Sequence, residues 1–336
     1  MNLPAHLLAA GNWLSMERFM ELALYDEADG YYNTHINDIG FRGDFSTTAT
    51  MSDVLARRLV QLWEQSCEAC GRRLPFVEIG GGNGDLSQGI SRSLGFIGRL
   101  RARYLMVDRA RALRDFQKAV GGGFVRVYAT IEEALRHCGG RAFLFSNELP
   151  DAFPARQFVY QEGRWLELGL SLVGGRVVLC AQERPLPVSA AFERWAQEGQ
   201  VIEVHESYHR WYKAWQPLWR CGAWVTVDYG ELNDTLYYRR PAGTLRGYKA
   251  HQLLNAEEII PLAGHCDITA DVNFSDLYEL ASACPGDVLQ YMSQRDFLKD
   301  CADPRKPADA HLIAVPGAGD HFHVLIQHRF ESASAS

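Results

Sequence analysis

The strand-like run Phe76-Val77-Glu78-Ile79 passes directly into Gly80-Gly81-Gly82-Asn83-Gly84, and a helical pattern opens at Asp85-Leu86. This junction constrains the fold more than any other stretch of the chain. Glycine allows a tight turn and lets backbone approach a ligand with no Cβ between them. The helix that follows presents unpaired N–H groups at its first turn. The alternation then repeats. Tyr104-Leu105-Met106-Val107-Asp108, Phe124 to Tyr128 and Ala142-Phe143-Leu144-Phe145 are short apolar runs separated by helical segments, and Trp224-Val225-Thr226-Val227-Asp228 resumes the series. Short apolar strands joined through helices imply a parallel sheet covered on both faces. The expected class is α/β with a Rossmann-like sheet.

The flanking sequence sets the expected organisation. Residues 1–72 read as a helical N-terminal region. Met16, Phe19, Met20, Ala23 and Leu24 keep a helical period, as do Leu55, Leu59, Leu62 and Trp63, with Ser52 as an N-cap and Gly71 as a stop. Residues 73–155 form the first half of the core, 156–220 a β-rich insertion and helix, and 221–330 the second half with substrate-side segments. Turn signals at Glu162-Gly163 and Gly174-Gly175 punctuate the insertion, and His323 to Gln327 reads as the last strand. Residues 331–336 read as a disordered tail.

Composition narrows the function classes. With Lys plus Arg 34 and Asp plus Glu 41 the net charge is −7, which excludes a general basic surface for nucleic acid. No apolar run reaches the length of a membrane span, so no membrane insertion is expected. Eight scattered cysteines include one Cys67-x-x-Cys70 with no second pair to complete a zinc site. Free thiols, no metal and a bacterial cytoplasmic location are the expectations.

The glycine loop separates cofactors. It lacks the Gly-Lys-Ser/Thr of a P-loop, and Asp85 stands where a dinucleotide fingerprint has its third glycine. S-adenosylmethionine carries no phosphate and has a cationic sulfonium, so an acidic loop suits it. Glu78, Gly80, Gly82, Asn83 and Gly84 are the candidate cofactor residues. Asp108 ends the next strand, where a carboxylate accepts hydrogen bonds from ribose hydroxyls or caps the following helix. Asn147, Glu148 and Asp151 follow the fourth strand, where reacting groups of open α/β sheets sit. Glu148 and Asp151 are the right chemistry to clamp a guanidinium, or to cap an acidic turn.

These motifs, in this order, resemble the MidA-type S-adenosylmethionine-dependent methyltransferases, the family of the mitochondrial complex I assembly methyltransferase. Over roughly residues 16–330 the matching segments are Leu24-Tyr25 with Gly30-Tyr31-Tyr32, Gly43-Asp44-Phe45-Ser46-Thr47, Glu78 to Leu86, Asn147-Glu148 with Asp151-Ala152-Phe153-Pro154, Asp228-Tyr229-Gly230, Gly243-Thr244-Leu245-Arg246-Gly247-Tyr248 and Asp267-Ile268-Thr269-Ala270. The resemblance implies methyl transfer to a protein arginine, a protein partner, and substrate-side roles for Asp44, Thr47, Asp228, Tyr229 and Arg246. The chain departs from the family at Gly81 and Asn83, where Pro and Arg are usual, and at Asp271 and Asn273, where His and Asp are usual. A non-catalytic binding protein of the same fold is the alternative those departures suggest.

A competing signature is His205-Glu206-Ser207-Tyr208-His209, literally the His-Glu-x-x-His of zinc peptidases. Zinc binding needs both histidines on one helix face. Val201 to Val204 reads as a strand, so His205 is expected at its end, with Ser207 as N-cap of a helix whose later part contains Pro217. His321-Phe322-His323 reads as an edge-strand pair.

Overall fold

A computed structural model describes residues 1–35 and 52–331. The chain divides into two compact units that interleave in sequence. One is made of Met1–Ile36, Pro150–Arg210 and Glu231–Asn273, the other of Asn37–Leu149, Trp211–Gly230 and Phe274–Ser336. The limits expected from sequence follow chain order, whereas each unit gathers three separate stretches. Strands are numbered along the chain: β1 Leu14–Ser15, β2 Phe76–Ile79, β3 Tyr104–Val107, β4 Val125–Tyr128, β5 Phe143–Asn147, β6 Arg156–Gln161, β7 Arg164–Val173, β8 Arg176–Gln182, β9 Val201–Val204, β10 Gly222–Glu231, β11 Arg246–Lys249, β12 Gln252–Leu254, β13 Asp267–Thr269, β14 Val272–Asn273, β15 Val288–Ser293 and β16 Phe322–Arg329.

The second of these units, here the sheet unit, orders its strands β15-β16-β10-β5-β2-β3-β4. The run from β4 to β10 is parallel, and β16 and β15 join antiparallel. Strands β2 and β3 are buried at every position, as strands covered on both faces must be. Trp63, from the helix Val54–Ala69, stacks on Phe76 at 4.6 Å and donates its indole N–H to Leu74 O at 2.8 Å. Leu59, Leu62 and Ile90 extend that core to Val225 and Ile326. The helix begins one residue later than expected, with Asp53 as N-cap, but Ser52 Oγ still accepts the Val54 N–H at 3.1 Å.

The other unit is built on antiparallel pairing. Its main sheet runs β1-β7-β6-β9 with β8 on β7, and a small sheet runs β12-β11-β13. Two-residue loops join β6 to β7 and β7 to β8. Glu162 and Gly163 have φ of 51° and 78°, Gly174 and Gly175 of 57° and 78°, the left-handed pairs a hairpin needs to match strand twist. The helix Met16–Tyr25 buries Phe19, Met20, Ala23 and Leu24 in a core shared with Leu170 and Ile268.

Four expectations change. His323 belongs to β16, which pairs with β10 on one side and β15 on the other, so it lies inside the sheet rather than at an edge. The helix after β9 spans Glu206–Trp215, which puts Ser207 inside it and Pro217 beyond it; Ser207 Oγ donates instead to Pro154 O at 2.7 Å. The expectation of free thiols throughout also changes: Cys70, at the end of its helix, is joined as a disulfide to Cys221, just before β10. A strand not expected from the sequence, β15, pairs antiparallel with β16. Among the described residues no helix is long and apolar enough to cross a membrane. Residues 332–336 of the tail lie outside the described residues.

Candidate functional site

The glycine loop sits where β2 ends. Gly80, Gly82 and Gly84 have φ of 70°, 50° and 81°, so the turn needs glycine for its backbone alone. The space is equally tight: a Cβ on Gly80 would lie 2.6 Å from Leu149 Cδ1, and one on Gly81 2.8 Å from Met106 Cε and 3.2 Å from Glu78 Oε2. Asn83 turns back on the helix start, donating to Asp85 Oδ2 at 2.8 Å and accepting the Asp85 N–H at 3.2 Å. Glu78 is buried and accepts the Tyr104 hydroxyl at 2.7 Å. Burial pushes its carboxyl up to about 8 against the pull of that hydrogen bond.

Asp108 lies just beyond β3. Its Oδ1 accepts the Ala110 N–H at 3.0 Å and its Oδ2 accepts Gln117 Nε2 at 3.0 Å. Burial raises its carboxyl to about 6, while those two donors lower it. Gln117 is the residue the sequence reading missed. It is fully buried on the helix Arg111–Gly121, and its Nε2 also donates to Gly82 O at 3.0 Å. It thereby ties the glycine loop to Asp108. The available signal was its place four residues after the buried Leu113, a polar side chain on an inward helix face.

The turn after β5 carries a second strained position. Glu148 has φ 52°, uncommon for a side chain other than glycine or asparagine. Its N–H donates to Val227 O at 2.8 Å, and its Oε1 accepts Asn147 Nδ2 at 3.1 Å. Asp228 is fully buried and holds the same turn, taking the Leu149 N–H on Oδ2 at 3.2 Å and the Tyr229 N–H on Oδ1 at 2.8 Å. The sheet unit thus brings Glu78, the glycine loop, Asp108, Asn147, Glu148 and Asp228 to the carboxyl ends of adjacent strands. The Tyr229 ring lies edge-on to Phe322 at 5.7 Å.

Asp151 belongs to the other unit, not to the turn that carries Glu148. Its Oδ2 accepts the Thr269 hydroxyl at 2.7 Å, and its carbonyl accepts the Ala270 N–H at 3.0 Å. The same unit holds a polar network around Arg246. The guanidinium meets Asp271 Oδ1 at 2.6 Å, Tyr248 Oη at 2.9 Å and Thr244 O at 3.0 Å. Buried Glu203 fixes the same segment by accepting the Thr244 and Leu245 N–H groups at 2.9 and 3.3 Å, and burial raises its carboxyl. Tyr32 Oη donates to Asp267 Oδ1 at 2.8 Å. Asp271, a departure from the family pattern, is therefore the partner of Arg246. Asp44 and Thr47 lie outside the described residues.

His205 ends β9 and precedes the helix that carries His209. It is buried, stacks face to face on Tyr208 at 4.3 Å, and neither ring nitrogen has a hydrogen-bond partner among the described residues. Burial drives its imidazolium down to about 3, so the ring is neutral. His323 Nδ1 lies 2.8 Å from Gly230 O. Among the described residues no three His, Cys, Asp or Glu side chains are grouped to hold a metal ion.

Comparison with known proteins agrees with this geometry. Residues 54–292 match a family model described as "Putative S-adenosyl-L-methionine-dependent methyltransferase". The chain is similar to a crystallised candidate methyl transferase from Burkholderia thailandensis bound to S-adenosyl-homocysteine. Identity is 27%, the TM-score is 0.82, and the match covers 97% of this chain and 90% of that one. A native crystal structure of a protein of the same superfamily from that organism matches with 27% identity and a TM-score of 0.80 over the same shares. No curated protein matches the sequence.

Proposed function

The chain belongs to this family of S-adenosyl-L-methionine-dependent methyltransferases, and from that premise we propose that its acceptor is an arginine side chain of a protein. The observation that carries the proposal is Glu148, a carboxylate held on left-handed backbone beside the glycine loop by Asp228 and Val227. Strained backbone at the carboxyl end of a parallel strand persists where function needs the side chain placed.

The residues fit the cofactor. Gly80, Gly82 and Gly84 hold the loop on left-handed backbone that side chains rarely adopt, Asp108 offers carboxylate oxygens to ribose hydroxyls, and Glu78 lines the loop from β2. The bound cofactor supplies an electrophilic methyl on its sulfonium. The protein's share is placement and exclusion of water. Gln117 holds Asp108 and the Gly82 carbonyl in register. A guanidinium arrives charged. A carboxylate bonded to two of its nitrogens would hold the third towards the methyl group and would take up the proton that nitrogen loses as the methyl passes from sulfur to nitrogen. Glu148 performs that task, with Asn147 orienting it. Asp151, Arg246 and Tyr229 are proposed to shape the acceptor side, together with Asp44 and Thr47.

The test is to incubate the purified protein with cell lysate and radiolabelled S-adenosyl-L-methionine, isolate the labelled species and hydrolyse it. Recovery of label as methylarginine supports the proposal. Label on another amino acid or on a small molecule overturns the acceptor, and absence of any transfer despite cofactor binding favours the binding-protein alternative.

A further inference from the structure

The end of the helix Asp85–Arg101 is built inside out. Gly95 interrupts it with φ 63° and ψ −177°, a backbone region essentially open to glycine alone. The chain then re-enters helix. With 3.6 residues per turn, Phe96, Ile97 and Leu100 share one face of this last piece, and Gly98 and Ala102 share the opposite face. A surface helix ordinarily turns its large apolar side chains inward. Here Ala102 packs against the core of the sheet unit, while Phe96, Ile97 and Leu100 are 77%, 65% and 72% exposed.

The charge around this face is one-sided. Arg99 and Arg101 flank the apolar stripe on its two sides and Arg103 follows; all three are exposed. None of the three forms an ion pair among the described residues. No acidic residue occurs between Asp85 and Asp108, although the chain as a whole carries −7. Any attraction to an anionic surface therefore comes from local basic patches such as this one and not from the general charge.

We propose that this face docks the protein on the surface of an anionic phospholipid membrane. Apolar side chains bordered by arginines are the pattern of helices that lie in the plane of the lipid interface, where the apolar face enters the acyl boundary and the cations meet phosphates. The face is a short convex ridge. A bilayer accepts such a ridge without a matching pocket, whereas a protein partner must supply one. A patch of this size gives weak, reversible binding that falls with salt. The proposal is independent of the acceptor.

The experiment is co-sedimentation of the full chain with vesicles of phosphatidylcholine alone or mixed with phosphatidylglycerol. Binding is expected on the mixed vesicles, at least fivefold weaker on phosphatidylcholine, and weakened by added salt. Replacing Phe96, Ile97 and Leu100 together by Ser is expected to lower partitioning at least tenfold with an unchanged melting temperature, since those side chains already face water. Arg99→Gln with Arg101→Gln is expected to lower it by about tenfold or more, at roughly fivefold per arginine near an anionic leaflet. Failure to bind the mixed vesicles, or equal partitioning of wild type and the triple Ser variant, overturns the proposal. So does a wild-type dimer that the Ser substitutions split, which would assign the face to a second copy of the chain.

Discussion

Glu148 offers a way to separate backbone strain from side-chain charge at one position. Its φ of 52° is left-handed, where an L side chain costs roughly 1–2 kcal/mol relative to glycine. Glycine in turn loses about 0.5–1 kcal/mol more backbone entropy on folding than alanine. Subtracting, Glu148→Gly should be more stable than Glu148→Ala by about 0–1.5 kcal/mol, roughly 0.75 at the midpoints. At an ordinary negative φ the order reverses by a similar amount, so the sign alone reports the backbone. Urea unfolding followed by tryptophan fluorescence reads it, since Trp63 and Trp224 are buried in the same unit. Activity should run against stability. Glu148→Gln keeps the shape and removes the charge; losing one charged partner of a desolvated guanidinium is worth on the order of 2–4 kcal/mol, or roughly 30- to 1,000-fold in methyl transfer. All three variants should bind S-adenosyl-L-methionine nearly as wild type by calorimetry, because the change lies in the turn after β5 and leaves Gly80 to Gly84 unaltered. A Gly variant less stable than the Ala variant would refute the strain argument. Normal turnover of the Gln variant would remove Glu148 from the acceptor.

Gln117→Leu fills the same space but deletes the donors to Gly82 O and Asp108; cofactor affinity by calorimetry should fall about tenfold, at roughly 1–1.5 kcal/mol for the pair, and wild-type affinity would show that the link is idle. The buried His205 is held neutral, its value lowered from 6.5 to about 3. A depressed folded value means that its contribution is complete above pH 6.5 and is lost as pH falls towards 3. Melting temperature should therefore decline below pH 6.5, and His205→Phe should flatten that decline; an unchanged slope would place the acid sensitivity elsewhere. Glu78 runs the other way: its carboxyl is raised from 4.5 to about 8, so the cofactor-free protein should lose stability as pH rises from 4.5 to about 8, and Glu78→Gln should lessen that loss in a thermal scan. Removing Asp271 as Asn leaves Arg246 half-paired and should destabilise by about 2–4 kcal/mol. Arg246→Met with Asp271→Leu should recover much of that, and equal loss in both would contradict a paired role.

The parallel strands were legible because burial on both faces leaves a continuous apolar run, as in Phe76 to Ile79 and Tyr104 to Val107. The glycine loop was legible because its backbone demands a residue type. What sequence hides is long-range. Gln117 looks like any polar helix residue until Gly82 and Asp108 are placed beside it. Asp271 and Arg246 meet only because β11 and β13 pair in register, Arg246 opposite Thr269. Glu148 has no propensity for left-handed backbone, so its φ follows from the bonds made by Val227 and Asp228, which lie 79 or more residues away. The separation of Asp151 from Glu148 into another unit falls between residues 149 and 150, where Leu149-Pro150 reads as an ordinary turn.

The chain leaves the sheet unit at Leu149 and again at Gly230, and each time returns after building part of the other unit. Both departures follow neighbouring parallel strands, β5 and β10. Apart from residues 1–36, the other unit is thus made of two long insertions that leave the sheet unit at adjacent strand ends. A single deletion spanning either insertion would leave the strand ladders of the other intact, since β6 to β9 pair among themselves and with β1, and β11 to β13 among themselves, but it would open the core they share through Leu170 and Ile268. Exchange of this unit between relatives is therefore expected to require both insertions to move together, as one inherited block carried in two pieces of the gene.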